Sequence, residues 1–148
     1  MILEKFLNSR LLVIYFSPLV LGLLTVFSFQ PYNLTIVNFF ILPIFFYLVV
    51  LITKRSKNIY RKKPYKRNLF IFGLLFGFGF YLSGTSWISH SLTFDDNFTL
   101  LIPFAIILIP LFLGLFLGFT ILIIGPLLSL NFSSLLIFSS SLAIADFL

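Results

Sequence analysis

The sequence predicts an all-α fold, a polytopic membrane bundle of about five transmembrane helices. Three observations lead there. Of its 148 residues 60% are hydrophobic and only 9% are charged, with a mean hydropathy of +1.15. A soluble domain carries about 25% charged residues, so this chain has too few charges to face water. Its apolar runs approach or exceed the roughly 20 residues that cross a bilayer, with short polar turns between them. Finally, eight of the ten Lys and Arg lie between Lys54 and Arg67, flanked by apolar runs, as in a loop on the cytoplasmic side of a membrane.

The elements come in this order. Met1–Arg10 and the apolar run behind it look like the start of a signal peptide. The run is longer than an h-region, no small-residue cleavage site succeeds it, and further apolar runs come after it, so Leu11–Phe29 reads as an uncleaved first span. Gln30-Pro31-Tyr32-Asn33 is a turn signal, with Pro31 where a helix cannot continue. Leu34–Ile52 is the second span and contains Pro43. The basic loop Thr53–Arg67, partly helical or disordered, leads to a third span at Asn68–His90, and Ser91–Asn97 is a polar turn with Asp95 and Asp96.

From Asn97 to Ala145 there is no charged residue. As one helix that run would be about 73 Å long, against a hydrocarbon core of about 30 Å, so it folds back. Gly125-Pro126 is the best break, with Asn131, Ser133 and Ser134 as caps for the next helix. The fourth span is then Phe98–Ile124 and the fifth Phe132–Leu148. Ser139–Ser141 is a small-residue patch inside the fifth span, not a linker. There is no internal repeat and no linker to a second domain, so residues 1–148 form one transmembrane domain.

This count sets a topology. The N-terminus, with Lys5 and Arg10, and the loop 53–67 fall on one side, the cytoplasmic one. Residues 30–33 and 91–97 fall on the other and carry no basic residue.

The net charge of +6 does not point to nucleic acid, because the basic residues are accounted for by the membrane loop. With no cysteine, the chain has no disulfide, thiolate metal site or Cys nucleophile of its own. A single histidine, no phosphate-cradling Gly-rich loop and no clustered carboxylates leave no catalytic set, no metal site and no cofactor site.

The stretch Phe70–Ser91 stands out. Gly73, Gly77, Gly79 and Gly84 lie in one apolar helix, although each costs about 1 kcal/mol relative to Ala. Gly73-x-x-x-Gly77, and Gly114-x-x-x-Gly118 in the next span, allow close helix approach, and packing within one bundle is preferred over dimerisation. Tyr81 and Trp87 suit the aromatic belt at a bilayer interface, and the lone His90 sits beside them. Asp95 and Asp96 read as caps of the fourth span. Asp146 differs: it is an acid near the C-terminal end of an apolar helix, where the macrodipole disfavours an anion and no cation is near in sequence. The sequence stops two residues later, at Leu148, with no flanking charge, as a truncated sequence does.

FSFQPYN (Phe27–Asn33), FGFGFYLSGTSWI (Phe76–Ile88) and ADFL (Ala145–Leu148) stand in an order and spacing that resemble the N-terminal membrane region of the apolipoprotein N-acyltransferase family. That family has a Phe-Ser-Pro-Tyr/Phe-like turn after helix one. It also has a Gly- and aromatic-rich helix ending in Gly-x-x-Trp, here Gly84-Thr85-Ser86-Trp87, and a Glu-x-Leu-Arg-Gly element, here begun by Asp146-Phe147-Leu148. The departures are Gln30 before Pro31, Asp for Glu at 146, and no Arg-Gly. In that pattern an Arg three residues after Asp146 would lie on its helix face as the missing cation.

The resemblance implies a bacterial inner-membrane enzyme of lipoprotein biosynthesis, an acyltransferase with a membrane bundle and a periplasmic nitrilase-like (carbon-nitrogen hydrolase-like) domain. There a Glu–Lys–Cys triad takes an acyl chain from a membrane phospholipid and passes it to the α-amino group of the diacylglyceryl-cysteine of a diacylated apolipoprotein. That catalytic domain is absent from these residues, so this chain alone is expected to be inactive. Tyr81, Gly84, Trp87 and His90 are the candidates for the mouth of a lipid or substrate cavity. The competing class is a small complete multi-pass membrane protein, a transporter subunit or a non-enzymatic assembly factor. The topology has a direct test: a reporter active only in the periplasm, fused after Leu148, is expected to be active, whereas a cytoplasmic signal there shifts the span count by one.

Overall fold

The computed structural model describes residue 9 and residues 11–29, 32–58, 65–85 and 101–147, apart from the side chains of 55–58 and 146. Gln30, Pro31, Trp87, His90, Asp95 and Asp96 lie outside the described residues, as do the N-terminal residues 1–8, the middle of the basic loop at 59–64, and Leu148. The described residues form helices α1 (Leu12–Ser28), α2 (Ile36–Asn58), α3 (Tyr65–Gly84), α4 (Ile102–Ile124) and α5 (Phe132–Phe147), with no strand among them. The fold class is all-α. Among the described residues three stretches are long and apolar enough to cross a membrane, Ile36–Lys54, Tyr65–Gly84 and Ile102–Leu127, while α1 and Phe132–Ala145 are shorter apolar helices.

Helix α1 is not uniform. It opens with a π-helical turn, Leu12–Phe16, continues as α-helix over Ser17–Leu24 and tightens to a 3-10 turn at Thr25–Ser28. The Ser17 amide reaches back five residues to the Leu12 carbonyl. The Ser17 hydroxyl donates to the Val13 carbonyl at 2.7 Å, replacing the amide that shifted register. Pro18 comes next with no amide to give. At the far end Asn33 adopts a left-handed conformation (φ 53°), which Asn tolerates, and donates its amide to the Phe29 carbonyl at 3.0 Å.

The basic loop is shorter than the sequence suggests. Helix α2 runs on through Lys54 to Asn58, and α3 already begins at Tyr65, so Thr53–Asn58 and Tyr65–Arg67 are helical. Cations in the last turn of α2 suit the negative end of the helix dipole. Helix α4 ends at Ile124, and Gly125–Leu127 makes one 3-10 turn. Ser134 serves the turn before α5: its hydroxyl accepts from the Ser129 amide at 3.1 Å. Thr53 ties α2 to this end, its single hydroxyl proton shared between the Val49 carbonyl at 3.0 Å and the Gly125 carbonyl at 3.1 Å.

Helix α3 is the centre, and its most extensive contacts are with α4 and then α1. One face carries Gly73 and Gly77 against α4. A Cβ on Gly77 would stand 2.8 Å from the Gly114 Cα, and one on Gly73 would stand 2.8 Å from the Leu117 carbonyl oxygen. Gly79 lies about 200° around the helix from Gly77 and faces α1, where a Cβ would meet the Leu19 carbonyl oxygen at 2.6 Å. Gly22 of α1 returns the contact: a Cβ there would run into the Phe76 carbonyl oxygen and stand 2.9 Å from the Phe80 amide nitrogen. The small-residue motifs therefore serve packing inside one bundle.

Helices α2 and α5 attach through aromatic rings. Phe45 of α2, fully buried, stacks on Phe76 at 4.0 Å and Phe72 at 5.2 Å, and meets Phe138 of α5 at 5.6 Å. Phe138 also packs on Phe46 at 5.3 Å.

These contacts set the cost of three substitutions in detergent micelles. Gly22→Ala is expected to destabilise the protein by about 1–3 kcal/mol, because the new methyl meets backbone that cannot move aside. Gly84→Ala, with nothing within 4 Å, is expected to be neutral or slightly stabilising. Thermal unfolding of the pair distinguishes a packing glycine from an idle one. Phe45→Ala is expected to cost about 3–5 kcal/mol in the same measurement, since it empties the ring cluster that joins α2, α3 and α5.

Candidate functional site

Of the residues singled out in the sequence, Tyr81 and Gly84 are described. Tyr81 is half-buried near the end of α3, packed against the core, with its ring edge-on to Phe80 at 5.0 Å. Its carbonyl accepts both the amide of Thr85 at 2.8 Å and the Thr85 hydroxyl at 2.7 Å, which closes the helix. Gly84 is exposed and touches nothing with its missing side-chain position. Trp87 and His90 lie outside the described residues. Helix α5 passes through Asp146, whose side chain lies outside the described set.

A cavity of about 600 Å³ lies elsewhere, between α2 and α5 above the Phe138 contact. Neither Tyr81 nor Gly84 lines it. Helix α3 supplies Phe76 and Phe80 as a back wall, α4 supplies Leu117, and the end of α1 supplies Thr25 and Phe29. Helix α2 gives Asn38, Phe39, Leu42 and Pro43, and α5 gives Leu135, Phe138, Ser139, Leu142 and Ala143. Of these, Phe39, Leu42 and Leu135 are exposed, so the cavity is not fully enclosed by the described residues.

The cavity exists because two kinds of residue face each other. The Phe138 ring sets the separation of α2 and α5 at one level. Beyond it, Ser139 and Ala143, spaced i and i+4 on α5, are too short to fill that separation. Ser139 satisfies its own hydroxyl by donating to the Leu135 carbonyl at 2.9 Å. No lining residue among the described residues is ionisable. The described lining is apolar apart from Thr25, Thr35, Asn38 and Ser139, and suits an apolar ligand.

Sequence reasoning missed this cavity. Small residues at i, i+4 spacing on α3 and α4 bring helices together, whereas Ser139–Ser141 reads in the sequence only as a small-residue patch inside the fifth span, with no cavity implied. Pro43, beside Asn38 in an otherwise apolar span, was the other available signal.

Residues 21–148 match the family described as the apolipoprotein N-acyltransferase N-terminal domain. An apolipoprotein N-acyltransferase of Brucella melitensis is 38% identical over 77 residues, which cover 51% of this chain and 14% of that protein. One of Rhizobium rhizogenes is 44% identical over 50 residues, covering 33% of this chain and 9% of that protein. One of Brucella suis is 36% identical over 77 residues, with 51% and 14% covered. The matched stretches therefore span about a seventh or less of the length of these relatives. No solved structure matches the chain. With its match across residues 21–148, the chain belongs to the apolipoprotein N-acyltransferase family, through that family's N-terminal membrane domain.

Proposed function

We propose that this chain forms the N-terminal membrane bundle of an enzyme that moves an acyl chain from a phospholipid to the α-amino group of the diacylglyceryl-cysteine of an apolipoprotein. The single observation that carries the reading is the family match over residues 21–148. The apolar helices and the placement of all ten Lys and Arg at the N-terminus and in the 54–67 region are consistent with it. With no cysteine in the chain, the thiol nucleophile that such a transfer uses comes from outside these residues.

The bundle sits in the bacterial inner membrane, with the N-terminus and residues 53–67 in the cytoplasm and residues 30–33 and 91–97 in the periplasm. Residues 1–148 act as one transmembrane domain with spans at 11–29, 34–52, 68–90, 98–124 and 132–148. Its role is to anchor the catalytic part and to shape the lipid-accessible space beside it. Tyr81, Gly84, Trp87 and His90 stand near the mouth of that space, and Asp146 takes part in a structural ion pair with an Arg.

A chimera tests this. The chain, put in place of the matching N-terminal region of the Brucella melitensis enzyme, is expected to support N-acylation of a diacylated lipopeptide in phospholipid vesicles, while the chain alone supports none. Transfer by the chain alone, or a well-inserted but inactive chimera, overturns the reading.

A further inference from the structure

The cavity has a polar corner where α1 ends and α2 begins. Thr25 and Asn38 both line it, and Thr25 opens the 3-10 turn Thr25–Ser28, which packs against α2. In a 3-10 turn side chains three residues apart eclipse, so Ser28 stands over Thr25 on the same side of the turn. The Leu34 amide donates to the Phe27 carbonyl at 2.9 Å and holds the turn against the chain that leads into α2. Thr25 is 3% exposed and Ser28 9%.

Three side-chain oxygens in this corner have bonding capacity left. The Ser28 Oγ and Asn38 Oδ1 atoms are buried, and neither has a hydrogen-bond partner among the described residues. Thr25 donates its only hydroxyl proton to the Gly22 carbonyl, so its Oγ1 can still accept. A buried polar atom without a partner is costly and uncommon in native proteins.

Those capacities define what fits. Asn38 Oδ1 accepts, Thr25 Oγ1 accepts, and Ser28 has a proton to give. The complement is a small neutral group that donates twice and accepts once. No described lining residue is ionisable, so the corner offers nothing to an ion. A water molecule meets each condition, and three bonds are the usual number for a buried water. The walls beyond, with Leu42, Phe76 and Phe138, offer no such partners, and water does not settle against apolar walls.

We propose that this corner is a buried water site that clasps α1 to α2. One water donates to Asn38 Oδ1 and to Thr25 Oγ1 and accepts the Ser28 hydroxyl proton. The cavity then has a wet head and a dry body. Helix α2 is fastened at both ends by polar contacts, by this water near its start and by the Thr53 hydroxyl on the Gly125 carbonyl near its finish, with the Phe45 ring contacts between them. The clasp is no part of acyl transfer, and it stands whether or not that reading does.

The test uses the full-length protein. A structure that resolves ordered waters is expected to show one water about 2.5–3.0 Å from each of the three oxygens. In water-edited solid-state NMR, polarisation from water is expected to reach the Asn38 side chain early and the Phe138 ring late. Ser28→Ala and Asn38→Leu are each expected to lower the unfolding temperature, and the double variant to lower it little further than the worse single, because either change already loosens the water. The sign for Asn38→Leu is decisive: removing an oxygen that truly lacked a partner raises the unfolding temperature, whereas removing one that water bridges lowers it. A direct Ser28–Asn38 hydrogen bond, another side chain at that point, late transfer to Asn38, additive shifts, or a raised unfolding temperature for Asn38→Leu overturns the proposal. The structure and the NMR transfer are read on the unmodified protein, so they decide even where a variant fails to fold.

Discussion

The bundle depends on how closely the backbone of α3 can approach two neighbours at once. In hydrocarbon no hydrophobic force drives helices together, so close packing has to supply the attraction. Gly73 and Gly77 on one face and Gly79 on the opposite face let α4 and α1 come to backbone contact with α3. Gly114 and Gly22 complete the two contacts from the partner side. A methyl group at Gly22, Gly73, Gly77 or Gly79 would meet backbone atoms, not flexible side-chain ends alone. The α1–α3–α4 unit is therefore the most closely packed part of the described bundle, and α2 and α5 are fitted around it.

That fit is of a different kind. Helices α2 and α5 attach by rings rather than backbones, through Phe45 against Phe72 and Phe76 and through Phe138 against Phe45 and Phe46. Rings hold helices farther apart than glycines do. Where small residues succeed a ring on the same helix, as Ser139 and Ala143 succeed Phe138, the separation persists with nothing to fill it. The tight and the loose halves of the bundle thus come from one rule, the size of the residue at each contact, and the cavity marks the boundary between them.

Polar groups are used sparingly and mostly locally. Ser17, Thr53, Thr85, Thr120 and Ser139 each return a hydroxyl to a carbonyl four residues back, which hides the hydroxyl from hydrocarbon within its own helix. Thr53 goes further and also reaches Gly125, pinning α2 to the turn between α4 and α5. Against that economy the buried Asn38 Oδ1, without a partner among the described residues, is an exception, and it falls on the wall of the cavity.

The all-α class, the family and the glycine contacts were legible in the chain. Low charge and long apolar runs leave helices as the structure that satisfies every backbone group in lipid. The i, i+4 glycines mark helix faces by spacing alone, and the order of the motifs around Pro31, Trp87 and Asp146 carried the family resemblance. The cavity was not legible, because it is a difference between separations set by residues far apart in sequence: Phe45 and Phe138 hold a gap that Ser139 and Ala143 fail to fill. The order of residues along each helix settles which of its faces are smooth enough to meet another. Which faces do meet, and where they stay apart, is settled only once the helices are assembled. It depends on the summed sizes of side chains from several helices at one level, and no single helix encodes that sum.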